Sequence, residues 1–269
     1  MARCRPVSIL IALLLLARSG AAQSLGESRQ VEVDGHAMHL SIAGAGPITV
    51  VLEAGGGWSL RQWERVQPAL APFARVVSYD RPGLGRSVRC AKAETAHRVA
   101  TELRAALELA GVRPPYLFVA HSMGGLYARV FTSMFPSEVV GLVLLDPAPE
   151  LFYERVRREL PELYAMLDQA PDAPKGAARA AVDTTLAQAA ASDPLPPIPI
   201  VLFTRSKWDG APPEMARIWT QEHQRWVERT PTARLRVAER SGHLIPRDEP
   251  QIVVDAVRDI LRQLEPRVR

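Results

Sequence analysis

The chain has 269 residues, 47% of them hydrophobic and 23% charged, a balance that suits a globular protein with one large core or two small ones and excludes disorder as its main state. Its formal net charge of +4 rests largely on the N-terminus, because removing residues 1–22 takes Arg3, Arg5 and Arg18 and lowers Lys+Arg from 33 to 30 against 29 Asp+Glu. That near-neutral balance, with no cluster of Lys and Arg interleaved with aromatics, excludes nucleic acid as a partner.

Residues 1–22 have the make-up of a secretory signal peptide: Arg3 and Arg5, an apolar run from Val7 to Ala17, then Ser19-Gly20-Ala21-Ala22 before Gln23. The run is shorter than the roughly 20 residues a bilayer span needs, so export to the periplasm or medium is expected, without stable membrane insertion after cleavage. Cys4 leaves with this segment, and Cys90 alone cannot form an internal disulfide.

Short β-branched runs then alternate with helical stretches, the pattern of βαβ units around a largely parallel sheet. Strands are expected near Val31–Val33, Met38–Ile42, Ile48–Leu52, Val76–Tyr79, Tyr116–Val119, Val139–Leu145, Ile200–Phe203 and Leu235–Val237. The first two, split by Asp34-Gly35, read as an edge hairpin. Helices fit the spans around Leu60–Ala71, Thr95–Ala110, Met123–Met134, Pro213–Arg229 and Pro250–Leu264. Between Pro147 and Pro199 the rhythm breaks into Ala- and Arg-rich helical sequence punctuated by six prolines from Pro161 to Pro197, which predicts a helical cap over residues 149–197 inserted between core segments 23–148 and 198–269.

One apolar strand ends in Phe118-Val119-Ala120-His121-Ser122-Met123-Gly124-Gly125 and runs into a helix. Such a strand-turn-helix elbow needs small residues two positions either side of its apex, here Ala120 and Gly124, and it lifts the Ser122 hydroxyl above the sheet at a helix N-terminus. The arrangement resembles the α/β-hydrolase superfamily, whose elbow is G-x-S-x-G, with Ala120 standing for the first glycine. The resemblance covers nearly all of the chain after residue 22. It implies an eight-stranded, mostly parallel sheet flanked by helices, a cap after the sixth strand, and a serine esterase or lipase-like activity.

Further segments carry the same resemblance. Glu53-Ala54-Gly55-Gly56-Gly57-Trp58 follows a strand where that family places one oxyanion-hole N–H, which falls to Gly56 with Gly57 as runner-up. The second donor is the N–H of Met123. Asp80-Arg81-Pro82-Gly83-Leu84-Gly85-Arg86-Ser87 resembles the family's D-x-x-G-x-G-x-S turn, in which Asp80, Arg81 and Ser87 brace the loops behind the site. His243, in Ser241-Gly242-His243 before the closing helix, takes the place of the general base. The orienting acid has two candidates at strand ends, Asp146 and, as the alternative, Asp209. Gly57, Trp58 and His121 are candidates to line the substrate pocket.

No histidine pair has metal-ligand spacing, and no cofactor motif is present in the sequence. The resulting expectation is cleavage of a carboxylic ester, or a related acyl bond, of a small molecule through an acyl-enzyme. C–C hydrolase, lactonase and perhydrolase chemistry use the same triad, and a non-catalytic ligand-binding member is a further alternative. The sequence leaves oligomeric state and acyl-chain preference open.

Overall fold

A computed structural model of the protein describes residues 25–171 and 173–264, so segment 1–22, expected to be a signal peptide, lies outside the described residues. Eight strands form one sheet in the order β1-β2-β4-β3-β5-β6-β7-β8. β1 (Glu27–Val33) and β2 (His36–Ala43) make the edge hairpin, closed by Asp34 and Gly35, both at positive φ (50° and 78°) as a two-residue primed turn requires. β2 also pairs antiparallel with β4 (Arg75–Tyr79). All other pairings are parallel, among β4, β3 (Thr49–Glu53), β5 (Tyr116–His121), β6 (Val139–Leu145), β7 (Ile200–Arg205) and β8 (Ala233–Ala238).

Buried on both faces, the central strands read as unbroken apolar runs, and their two-residue period divides them between two cores. Val51, Val77, Phe118, Leu142 and Leu202 pack on one side with Leu103 of α2 (Ala96–Leu109), Phe131 of α3 (Met123–Met134) and Trp226 of α7 (Pro213–Arg229). Val50, Leu52, Val76, Leu117, Val119 and Val143 pack on the other against Trp63, Ile245 of the short α8 (Ile245–Asp248) and α9 (Pro250–Leu264), whose Val253, Val257 and Ile260 keep helical spacing.

The expected helix from Leu60 to Ala71 is broken into a 3₁₀ turn, Leu60–Trp63, and a short helix α1, Gln67–Leu70. Pro68 is the cause: it has no N–H to donate back to the carbonyl of Glu64, so the chain starts a new helix there instead of continuing one. Between β6 and β7 run α4 (Phe152–Glu159), α5 (Pro161–Gln169) and α6 (Gly176–Ala190). A third apolar cluster joins this segment to the sheet helices, with Phe152, Val156 and Ala189 against Leu126 and Tyr127 of α3 and Ile218 and Trp219 of α7. Arg155 adds a buried pair to Glu222 at 2.7 Å. Among the described residues, no helix is long and apolar enough to cross a membrane.

Candidate active site

Ser122 joins β5 to α3 at φ 53° and ψ −124°, a conformation that L-residues rarely adopt and that persists only when neighbours over-determine it. Those neighbours are visible: Ser122 N–H donates to Leu145 O (3.1 Å), and Ser122 O accepts from Gly125 N (2.9 Å) and Ala148 N (3.1 Å). Small residues are required because α3 crosses directly over the end of β3. A Cβ on Gly124 would lie 2.6 Å from the carbonyl oxygens of both Glu53 and Ala54, and one on Gly125 would lie 2.7 Å from Pro147 Cβ. Ala120, two residues before the apex, is fully buried.

The loop after β8 brings His243 to this hydroxyl, with Nε2 2.9 Å from Ser122 Oγ. Its Nδ1 is 2.6 Å from Asp146 Oδ2. Asp146 sits at the end of β6 at φ 43°, fully buried, and its backbone N–H is held by Phe203 O at 2.7 Å. Its other oxygen accepts from Trp219 Nε1 (2.9 Å) and Arg205 N (3.3 Å), while Arg205 Nε lies 3.1 Å from Oδ2. Burial alone would push this carboxyl up. The hydrogen bond from His243 and the charge of Arg205 outweigh it and hold Asp146 below its ordinary value.

Asp209, the alternative acid, is exposed on the turn beyond β7 and has no hydrogen bond to His243. The position beside the imidazole is filled by Asp146, and Arg205 at the end of β7 turns its side chain toward that same carboxylate. The two strand ends therefore differ in a way that strand counting does not reveal.

The glycine loop after β3 is fixed from behind. Arg81 donates through Nη1 to Ala54 O (2.7 Å) and through Nη2 to Gly55 O (2.6 Å). In a trans peptide the N–H points opposite to the carbonyl, so fixing Gly55 O on Arg81 turns the Gly56 N–H away from that guanidinium. Among the described residues, neither Gly56 N–H nor Met123 N–H has an acceptor. The two residues are neighbours, since a Cβ on Gly56 would lie 3.3 Å from Met123 Cγ. Gly57, at φ 72°, and Trp58, 45% exposed, continue the loop, and Trp58 forms a small cleft with Gln62, Leu244 and Pro246.

His121 departs from its expected place in the pocket. It is buried, its Nδ1 lies 2.6 Å from Gln62 Nε2 and its Nε2 2.7 Å from His243 O, so both nitrogens are occupied. The pattern is consistent only with a neutral ring, its Nε2–H donating to His243 O and its Nδ1 accepting from Gln62. Burial, reinforced by the neighbouring His243, pushes its pKa down to about 3. Gln62 Oε1 in turn accepts the Gly55 N–H at 2.9 Å. His121 therefore supports the His243 loop and the glycine loop, with both ring nitrogens engaged by the protein.

The turn after β4 forms the next layer. Asp80 takes Leu60 N–H (2.8 Å), Arg86 N–H (3.0 Å) and His39 Nδ1 (2.8 Å) on its carboxylate, and Ser87 Oγ donates to Asp80 O (2.6 Å). A Cβ on Gly85 would lie 2.3 Å from that carboxylate, so glycine is obligatory there. Beneath the glycine loop, Glu53 pairs with Arg81 Nη1 at 2.7 Å and accepts from Tyr79 OH. Burial raises Glu53 to about 7 despite the opposing charge of Arg81.

Sequence reading missed four contributors: Gln62, Arg205, Trp219 and His223, whose Nε2 is 2.7 Å from Pro147 O and pins the residue after Asp146. Trp219 and His223 lie on the buried stripe of α7 with Ile218, Glu222 and Trp226, where helical spacing announces packing and nothing more. No local signal distinguishes them. Among the described residues, no group of three His, Cys, Asp or Glu side chains could hold a metal ion.

A family model described as alpha/beta hydrolase fold matches residues 48–221. YqjL of Bacillus subtilis (strain 168) is 35% identical over 117 residues, covering 43% of this chain and 46% of that protein. The matched segment thus spans less than half the length of this relative. Among solved structures, the epoxide hydrolase CorEH without ligand superposes with a TM-score of 0.64 at 22% identity, covering 88% of this chain and 99% of that one. An esterase from Thermogutta terrifontis in a malate-bound form gives a TM-score of 0.60 at 19% identity, covering 89% and 99%. At these identities, the likeness is one of fold.

Proposed function

Because the chain belongs to the alpha/beta hydrolase fold family, we propose that it is a serine hydrolase that opens a carboxylic ester, or a related acyl bond, of a small molecule. The single observation that carries the reading is the hydrogen-bonded series Ser122 Oγ, His243 Nε2, His243 Nδ1, Asp146 Oδ2 at 2.9 and 2.6 Å. Asp146, ionised and buried, accepts Nδ1–H and leaves Nε2 of a neutral imidazole free to take the Ser122 proton. Ser122 Oγ attacks the carbonyl carbon, and the oxyanion that forms accepts from the N–H groups of Gly56 and Met123. The imidazolium returns its proton to the departing alcohol oxygen, leaving an acyl-Ser122 ester. Water, deprotonated by His243, then releases the acid and regenerates the hydroxyl.

Serine at the elbow supports an acyl-enzyme over the carboxylate ester that an aspartate there would form. Residues 149–197 serve as the cap in this reading, with Gly57 and Trp58 at the mouth of the pocket. Residues 1–22 act as a cleaved export signal, so the protein isolated from its source should begin at Gln23. The test combines a fluorophosphonate probe with p-nitrophenyl esters of graded acyl length on the folded protein. Probe mapped to Ser122, with turnover abolished in Ser122→Ala, is the expected outcome. A folded protein in which Ser122 takes no label and no ester is cleaved would point to a ligand-binding member of the family and overturn the proposal.

A further inference from the structure

A cavity of about 760 Å³ opens beside the edge hairpin, and none of Ser122, His243 and Gly56 lines it. Its wall includes Ser28 of β1, His39 of β2, Arg61 of the 3₁₀ turn, Arg65 just after it, and Arg86 from the turn after β4. The volume is that of a small-molecule site. What sets it apart is the state of its cations. Arg86 makes no ion pair with any described residue: its backbone N–H is held by Asp80 at 3.0 Å, and its Nη1 donates to Ser28 Oγ at 3.0 Å and lies 3.4 Å from His39 Nε2. Its Nε and Nη2 have no acceptor among the described residues.

Arg65 likewise has no carboxylate partner there and spends one N–H on Arg247 O at 3.0 Å. Arg61 reaches Glu64 only at 3.9 Å, with both side chains well exposed, a pair of little worth. The one buried carboxylate of the cavity, Asp80, is already occupied by His39 Nδ1 and the backbone N–H groups of Leu60 and Arg86.

Ser28 is in turn oriented from below, because His39 bridges Asp80 Oδ2 (2.8 Å) to Ser28 Oγ (2.9 Å). The buried Asp80–His39 pair thus orients the hydroxyl that accepts from Arg86, whose side chain lines the cavity. Guanidinium groups with open N–H pairs recognise planar or tetrahedral oxyanions in bidentate fashion. Leu25 and Leu60 supply apolar wall for the rest of a ligand.

We propose that this cavity is a second ligand site, for a small organic anion bearing a carboxylate or a phosphate monoester, anchored by Arg86 with Arg61 and Arg65. Its occupancy is expected to be felt at Ser122, because the wall segment Ser59–Arg65 also carries Gln62, which holds Gly55 and His121.

Calorimetric titration of the whole protein with benzoate, phenyl phosphate and neutral benzyl alcohol tests this without reference to turnover, so it stands apart from the hydrolase reading. One or both anions should bind at one per chain, the preferred one identifying the head group, and benzyl alcohol should not. Arg86→Gln should weaken anion binding at least tenfold, and Arg65→Gln, a surface change, serves as the second variant if the first does not fold. No heat with either anion, equal heat with benzyl alcohol, or unchanged affinity in the folded variants would overturn the proposal.

Discussion

His121 supplies a prediction that reaches from one ring to the stability of the whole fold. In the folded protein it is neutral, buried between Gln62 and His243 O, with its pKa pushed from 6.5 to about 3. The folded value is depressed, so the stability it contributes is fully present above the unfolded value of 6.5 and is lost as pH falls toward 3. At pH 5 the unfolded chain is almost wholly protonated at this site while the folded chain is not, a difference of about 1.5 decades at about 1.4 kcal/mol each, or about 2 kcal/mol lost between pH 8 and pH 5. His121→Gln keeps a donor and an acceptor of similar reach but does not titrate. Urea unfolding followed by tryptophan fluorescence at both pH values gives the measurement, since other titrating groups contribute alike to both proteins. The variant should be less stable than wild type at pH 8, and that gap should shrink by about 2 kcal/mol at pH 5. A gap that stays constant to within about 0.5 kcal/mol would refute the claim that His121 is held neutral by burial.

Further outcomes follow from the same geometry. Asp146→Asn should lower kcat by roughly 10⁴-fold, by analogy with other Ser-His-Asp triads, while Asp209→Asn leaves ester hydrolysis within about twofold; equal small losses would remove Asp146 from the role of acid. Gly124→Ala should cost about 1–3 kcal/mol in denaturant melts, because the added Cβ would meet the Glu53 and Ala54 carbonyl oxygens at 2.6 Å and backbone cannot yield as a side-chain tip can. Wild-type stability in that variant would contradict the close crossing of α3 over β3.

Much of the fold was legible because burial on both faces of a parallel sheet leaves a local trace. The run Tyr116–Val119 is apolar throughout, Asp34-Gly35 breaks the hairpin, and Ile252 to Leu264 repeats at helical spacing. The helix expected over Leu60–Ala71 failed on a local fact as well, the missing N–H of Pro68. At the site, Ser122 was legible because the elbow's demand for small residues falls on Ala120 and Gly124, two positions either side of it, although the backbone that Gly124 meets belongs to the distant Glu53 and Ala54.

Which aspartate meets His243 was not legible in the same way. Asp146 and Asp209 each follow a strand, and nothing in either segment records which strand end faces His243, 97 residues beyond Asp146 in the chain. That choice depends on how β6, β7 and the loop after β8 are set side by side. His121 shows the same limit: adjacency to Ser122 suggested a pocket residue, yet the contacts that occupy its ring come from Gln62 and His243, 59 and 122 residues away. The sequence by itself determined the sheet and the elbow that carries Ser122, because strand period and turn chemistry are properties of neighbouring residues. Only the tertiary structure decided which carboxylate meets His243 Nδ1 and which histidine meets Ser122, because hydrogen-bond partners at the ends of parallel strands are brought together by packing and leave no mark on the residues beside them.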